Sequence, residues 1–291
     1  MFFRKRLYFF YLCDIITLHV LHLTKRSLYN MDWLLELKWG SFTPTHFISL
    51  GVAVLISVGL HFLLRKKSEK VQTWVLFVLS LYGIFALIYE IIVWGIPSTP
   101  LQYLPLHMCA YNALLTPVLV LTKNKVLGNM LPLFATGAAI ALIFNSIQAE
   151  YTILSFTFFS YFATHTLGTA IPYLMLSLGH IKPSPRCVLP TAATTLGLYT
   201  ISHFANLIIN AYLVNANILD WQGEVIQVNY MFSVHPQGNP LLSLFWSIIP
   251  FPYFYMLCAL PIIVIYFLLL NCKHIAAWIK SKQLSKSDAK E

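Results

Sequence analysis

Apolar runs of about twenty residues, broken by short polar and basic stretches, fill most of this chain. An α-helix rises about 1.5 Å per residue and a bilayer core is about 30 Å thick, so roughly 20 residues make one crossing. Seven runs reach that length, at residues 44–64, 73–94, 101–121, 128–147, 152–178, 188–214 and 253–271. They predict an all-α, polytopic transmembrane bundle of seven spans over residues 31–275, followed by a basic tail at 276–291. Residues 241–249 are apolar but too short to cross, and they stop at Pro250-Phe251-Pro252. That segment reads as an interfacial or re-entrant piece, tolerable only where other protein covers it. With the turn-rich residues before it, it is expected to cap the outer mouth of the bundle.

The first thirty residues break the pattern. Arg4-Lys5-Arg6 precedes an apolar run that Asp14, His19 and His22 interrupt, and no small-x-small cleavage site follows. They are expected to be an upstream extension ahead of a working start at Met31; a weak eighth helix at residues 7–24 is the alternative.

Composition strengthens the membrane reading. Hydrophobic residues make up 58% and charged residues 10%, against about a quarter charged in ordinary soluble domains. The net charge of +9 is no nucleic-acid footprint, because it follows the connections. Arg65, Lys66, Lys67 and Lys70 lie in one break, Lys123 and Lys125 in a second, Lys182 and Arg186 in a third. Lys273, Lys280, Lys282, Lys286 and Lys290 lie in the tail. With seven spans all four segments share one side, and the positive-inside rule makes that side and the C-terminus cytoplasmic. Loop 215–240, with Asp220 and Glu224, then lies outside. The expected setting is the plasma membrane of a bacterium, with membrane lipids as partners and no nucleic acid. The five cysteines are widely spaced without a C-x-x-C pair, so neither a disulfide framework nor a zinc ribbon is indicated. No cofactor and no metal are expected, since no histidines stand at i and i+4 in the spans; a zinc site from His107, Cys109, His165, His203 and Glu90 is a third possibility.

Ionisable groups inside the spans are costly in a bilayer and read by default as functional. With helices running from the stated ends, Cys109 would lie about 12 Å and His165 about 20 Å below the outer surface. Glu90 falls near the outer end of its span and His203 near mid-membrane, with Asn206 and Asn210 further out. Cys109 and Asn112 share a face of the third span with Thr116. Tyr161, Thr164, His165 and Gly168 share one of the fifth, and His203, Asn206 and Asn210 form one stripe of the sixth. His107 is about 200° around the helix from Cys109, so a base for this thiol must come from another helix. His165 is the first choice and His203 the second. A cysteine whose proton an imidazole can take is a nucleophile suited to acyl transfer, and Asn112 or Asn206 could bond the developing oxyanion. The expected catalytic pair is therefore Cys109 and His165, with His107, Asn112, Glu90, His203, Asn206 and Asn210 binding substrate or supporting the pair. Each also has a purely structural reading, as small packing residues or as polar glue between helices. A transporter or a lipid-binding protein without catalysis would use the same polar set as a path.

Four segments carry a family resemblance. They are Ser41-Phe42-Thr43-Pro44-Thr45-His46-Phe47, Leu104-Pro105-Leu106-His107-Met108-Cys109, Tyr161-Phe162-Ala163-Thr164-His165, and Asn229-Tyr230-Met231-Phe232 with Pro240 beyond. In this order and spacing they resemble the YwaF-like bacterial integral membrane proteins and, more distantly, the eukaryotic transmembrane protein 164 family, over about residues 31–275. The eukaryotic relatives are linked to acyl transfer between phospholipids. The resemblance implies Cys109 as nucleophile and His165 as base.

Overall fold

In the computed structural model, residues 38–96, 99–144, 151–153, 155–220 and 222–287 are described. The upstream extension and the weak eighth helix lie outside them. The main helices are α1 (Pro44–Leu64), α2 (Glu69–Glu90), α3 (Met108–Thr122), α4 (Lys125–Phe144), α5 (Phe156–Ser177), α6 (Val188–Asn215), α7 (Pro240–Ile248), α8 (Leu260–Leu270) and α9 (Cys272–Ser287). Among the described residues, four are long and apolar enough to cross a membrane: α1, α2 with its π-helical extension, α4, and α6 with the 3₁₀ turn before it. A fifth joins them if the segment Phe254–Leu270 and the helix bent from it by 66° count as one.

The third and fifth predicted spans differ from expectation for identifiable reasons. Residues 101–121 do not make one helix. A 3₁₀ turn covers Pro100–Tyr103, Leu104 is extended, and the α-helix begins at Met108. Pro105 accounts for this, because it pushes the residue before it out of the α region and supplies no backbone donor of its own. The remaining helix has 15 residues, about 22 Å at 1.5 Å each. Helix α5 has 22 residues but is less apolar, because serine, threonine, tyrosine and histidine recur along it. Helix α9 runs unbroken across residues 275 and 276.

Helices α2 to α5 form the packed centre. Around Leu119, Val120, Met130, Leu131, Phe134, Ile171 and Met175 the core is closed to solvent. Much of α1, α6 and α8 is instead covered with exposed apolar side chains such as Leu55, Ile208 and Leu269, as expected of helices whose outer surface meets hydrocarbon. Close helix approach is allowed by Gly83, where a Cβ would stand 2.9 Å from that of Ala113, and by Gly168, packed on the Asn112 amide. Small residues at such crossings are the usual means of packing helices in lipid.

The bundle has two distinct ends. At one, α1 meets α2, α3 meets α4, α5 meets α6 and α8 meets α9, and this end carries most of the basic residues. An ion pair of Lys123 with Glu69 ties the end of α3 to the start of α2, and the His180 ring stands 3.8 Å from the same carboxylate. His274 Nε2 donates to the Pro183 carbonyl at 2.9 Å, fastening α9 to the α5–α6 connection. The opposite end carries the long connection from α6 to α7.

At that end, strands β1 (Lys38–Trp39) and β2 (Tyr151–Thr152) pair antiparallel, and Trp39 is buried with its Nε1 donating to Ser49 Oγ at 2.8 Å. Thr43 caps α1 by accepting from the His46 amide, with Pro44 in the first turn, an arrangement that satisfies one of the helix's free donors. His46 is wholly buried. Its Nδ1 accepts from the Phe42 amide at 2.9 Å, so its Nε2 carries the proton donated to the Leu142 carbonyl at 2.7 Å. It pins the start of α1 to the end of α4. Replacing His46 by leucine should orphan both backbone groups and destabilise the fold by about 2–4 kcal/mol. Denaturant titration in detergent micelles would read it, and an unchanged midpoint would show the clamp to be dispensable.

Candidate functional site

The polar stripe of α6 is taken up by the α6–α7 connection. Asn210 donates to the Val228 carbonyl at 2.9 Å and accepts from the Val228 amide at 2.7 Å. One turn deeper, Asn206 donates to the Tyr230 carbonyl at 2.9 Å and to Ser233 Oγ at 2.8 Å, and accepts from the Tyr230 amide at 2.8 Å. His203 Nδ1 lies 3.0 Å from Ser233 Oγ, and Tyr199 donates to the Tyr253 carbonyl at 2.9 Å. Positions 199, 203, 206 and 210 share one helix face. Together they hold non-helical backbone alongside α6 for about 16 Å of its length.

Irregular backbone at such depth must be satisfied by protein, and this strip does so. Met231 and Phe232 have φ of 52° and 54° in the middle of it, a conformation uncommon for bulky residues. Tyr230 locks the other side by donating to the Leu101 carbonyl, and burial pushes its phenol up to about 12. His107 immediately precedes α3 without a side-chain capping bond, and packs edge-on against Tyr230 at 5.0 Å between ring centres.

A different group meets between α2, α3, α4 and α5. Cys109, Asn112, Thr164 and His165 line one small cavity, with Gly83 and Gly168 in its wall. About 20 Å³ is open to the centre of a water molecule, room for about one water. Cys109 is a free thiol in the first turn of α3, so it sits nearer the helix end than an unbroken third span would put it. There the first backbone N–H groups have no carbonyl one turn back: the first helical bond is from Tyr111 to the His107 carbonyl. The positive end of the helix dipole favours negative charge at this place.

His165 Nδ1 stands 2.9 Å from the Tyr161 carbonyl. A carbonyl can only accept, so Nδ1 carries the proton and Nε2 keeps its lone pair. The ring is further held against Tyr161 at 4.1 Å between centres. Among the described residues, no hydrogen bond joins the Cys109 thiol to this imidazole; the two share the cavity wall. Asn112 is buried and donates to the Gly168 carbonyl at 2.8 Å. Thr164 Oγ1 is buried without a hydrogen-bond partner among the described residues.

The structure thus brings Cys109, Asn112 and His165 together and sends His203, Asn206 and Asn210 elsewhere. Asn206, with both donor contacts spent on the connection, does not line the cavity. Glu90 stands where α2 passes into a π-helical turn, Ile91–Gly95. It too is outside the cavity wall. From the sequence, Thr164 is placed on the same helical face as His165 but given no role of its own.

A helical bundle with lipid-facing apolar helices and a polar pocket at its centre defines a multi-pass membrane protein. The sequence model of the TMEM164 family matches residues 41–270. The chain belongs to that family. No curated protein and no solved structure matches it.

Proposed function

We propose that the protein is a lipid acyltransferase or hydrolase in which Cys109 is the nucleophile and His165 the base. The observation that carries this reading is the shared cavity: a free thiol in the first turn of a helix, and an imidazole whose Nδ1 proton is committed to the Tyr161 carbonyl. Such a ring is oriented and held in the tautomer that can accept a proton at Nε2. One water in the cavity would relay that proton, since a base acts directly or through a single water.

In the first half-reaction the thiol loses its proton to His165 and sulfur attacks the ester carbonyl of a phospholipid. The oxyanion that develops would be met by the free amides opening α3 and by the Thr164 hydroxyl. The carbon–oxygen bond then breaks, and the imidazolium returns the proton to the departing lysolipid oxygen. In the second, a lysolipid hydroxyl or water gives its proton to His165 and attacks the thioester, and the thiol is restored. The acyl chain would enter sideways between helices, and the glycine-packed crossings around the cavity are where separation exposes least side chain.

We further place the chain in the YwaF-like bacterial branch of its family, with seven crossings and the basic end in the cytoplasm. The motif order and the positive-inside rule support this. The cavity then opens toward the extracytoplasmic half.

Protein reconstituted with a phospholipid bearing a labelled acyl chain, plus an unlabelled lysolipid, tests the chemistry. Label should appear on the denatured protein as a hydroxylamine-labile adduct and then on the lysolipid. A protein that never takes up label, while lipids remain unchanged over many hours, would overturn the proposal.

A further inference from the structure

At the basic end a second and larger cavity, about 230 Å³ by the same measure, lies where α8 meets α9 and α6 begins. Its wall is apolar: Pro185 and Val188 on one side, Val264, Phe267 and Leu268 on another, Ile275 on the third. One polar residue, Asn271, lines it as well. This residue is 2% exposed; its Nδ2 donates to the Phe267 carbonyl at 3.0 Å, and its Oδ1 is buried with no hydrogen-bond partner among the described residues. Native structures rarely leave such an acceptor unmatched, and an exception calls for a missing donor.

The position narrows what that donor belongs to. The cavity opens between helices whose neighbouring surfaces are apolar and exposed, with Val264 and Leu268 among them, so its entrance faces the hydrocarbon. Asn271 stands at the 66° bend that separates the apolar helix from the basic one, where a helix changes from lipid-suited to water-suited composition. The exposed Arg186 and Lys273 are neighbours in the chain of wall residues Pro185 and Asn271. An apolar slot, an orphan acceptor at its polar margin and flanking cations suit one kind of molecule.

We infer that this cavity is a binding site for an anionic phospholipid with a hydroxyl-bearing headgroup, drawn from the leaflet that contacts the basic end. One acyl chain fills the slot, a headgroup hydroxyl donates to Asn271 Oδ1, and the phosphate sits among the cations. The cavity bearing Cys109 is lined by none of these residues, so the site is independent of the acyl chemistry proposed above.

The probe is phosphatidylglycerol, against phosphatidylcholine with the same acyl chains, which lacks both the net charge and the donor. The full chain, purified in a mild detergent, should retain phosphatidylglycerol in native mass spectrometry about tenfold more strongly. Asn271→Leu should reduce that preference several-fold, and Val264→Trp, which fills the slot from its exposed side, should reduce total lipid retention. Should Asn271→Leu fail to fold, the Val264→Trp protein and the comparison of the two lipids in the unaltered protein still decide. Equal retention of both lipids, or undiminished phosphatidylglycerol on Val264→Trp, would overturn the inference.

Discussion

Cys109→Ala is expected to abolish label transfer and lower lipid turnover by at least about 10³-fold, the scale on which loss of a covalent nucleophile is felt. The substitution removes one sulfur from a cavity wall and leaves no buried donor or acceptor behind, because the thiol forms no hydrogen bond with another described residue. Folding should therefore be nearly unaffected, so activity loss and unfolding separate cleanly. His165→Ala should reduce turnover by about 10²–10⁴-fold. It also releases the Tyr161 carbonyl from its hydrogen bond, so a structural contribution has to be told apart. Added imidazole does that: partial recovery in the His165→Ala protein, with none in Cys109→Ala, is the result expected of a proton acceptor. Wild-type lipid turnover in Cys109→Ala would remove the thiol from the chemistry altogether.

The second large effect concerns the fold. Asn206→Leu keeps the volume of the side chain and removes three hydrogen bonds in a fully buried place. The Tyr230 amide and carbonyl would then be unpaired at membrane depth, at about 1–3 kcal/mol each. A loss of about 2–6 kcal/mol follows, taking both groups together. Asn206→Asp should fall between, since it still accepts from the Tyr230 amide but donates to neither oxygen. Denaturant unfolding in micelles gives the ranking, and protease cleavage within residues 216–239 reports whether the connection has come loose. Identical stability of Asn206→Leu and the parent would mean that the strip on α6 does not hold this segment.

These two experiments separate roles that look alike along the chain. His203, Asn206 and Asn210 have the spacing of a functional stripe, and polar groups in a span invite a functional reading. Their partners are 18 to 30 residues away on irregular backbone, which no helical periodicity could announce. Cys109 and His165 are legible as unusual residues on two different spans, but the helical angle used to set His107 aside does not apply, because His107 lies ahead of α3 in extended backbone. That they line one cavity depends on how α3 and α5 cross, which Gly168 against Asn112 permits. Pro105 was readable as a disturbance ahead of Cys109; that it delays the helix to Met108, leaving Cys109 in a first turn, emerges from the backbone. His46 stood in a recognisable motif, but its clamp on Leu142 joins residues 96 apart.

What the sequence determined by itself is the solvent. Runs of apolar residues long enough to cross a bilayer, with cations confined to their breaks, dictate helices in lipid, because no other backbone arrangement of an all-helical chain satisfies its own hydrogen bonds there. Only the tertiary structure decided which buried polar groups are spent on holding backbone and which keep a lone pair or a thiol free. Hydrogen bonding is settled by distance between atoms, and those distances are set by helix crossings that sequence spacing does not encode.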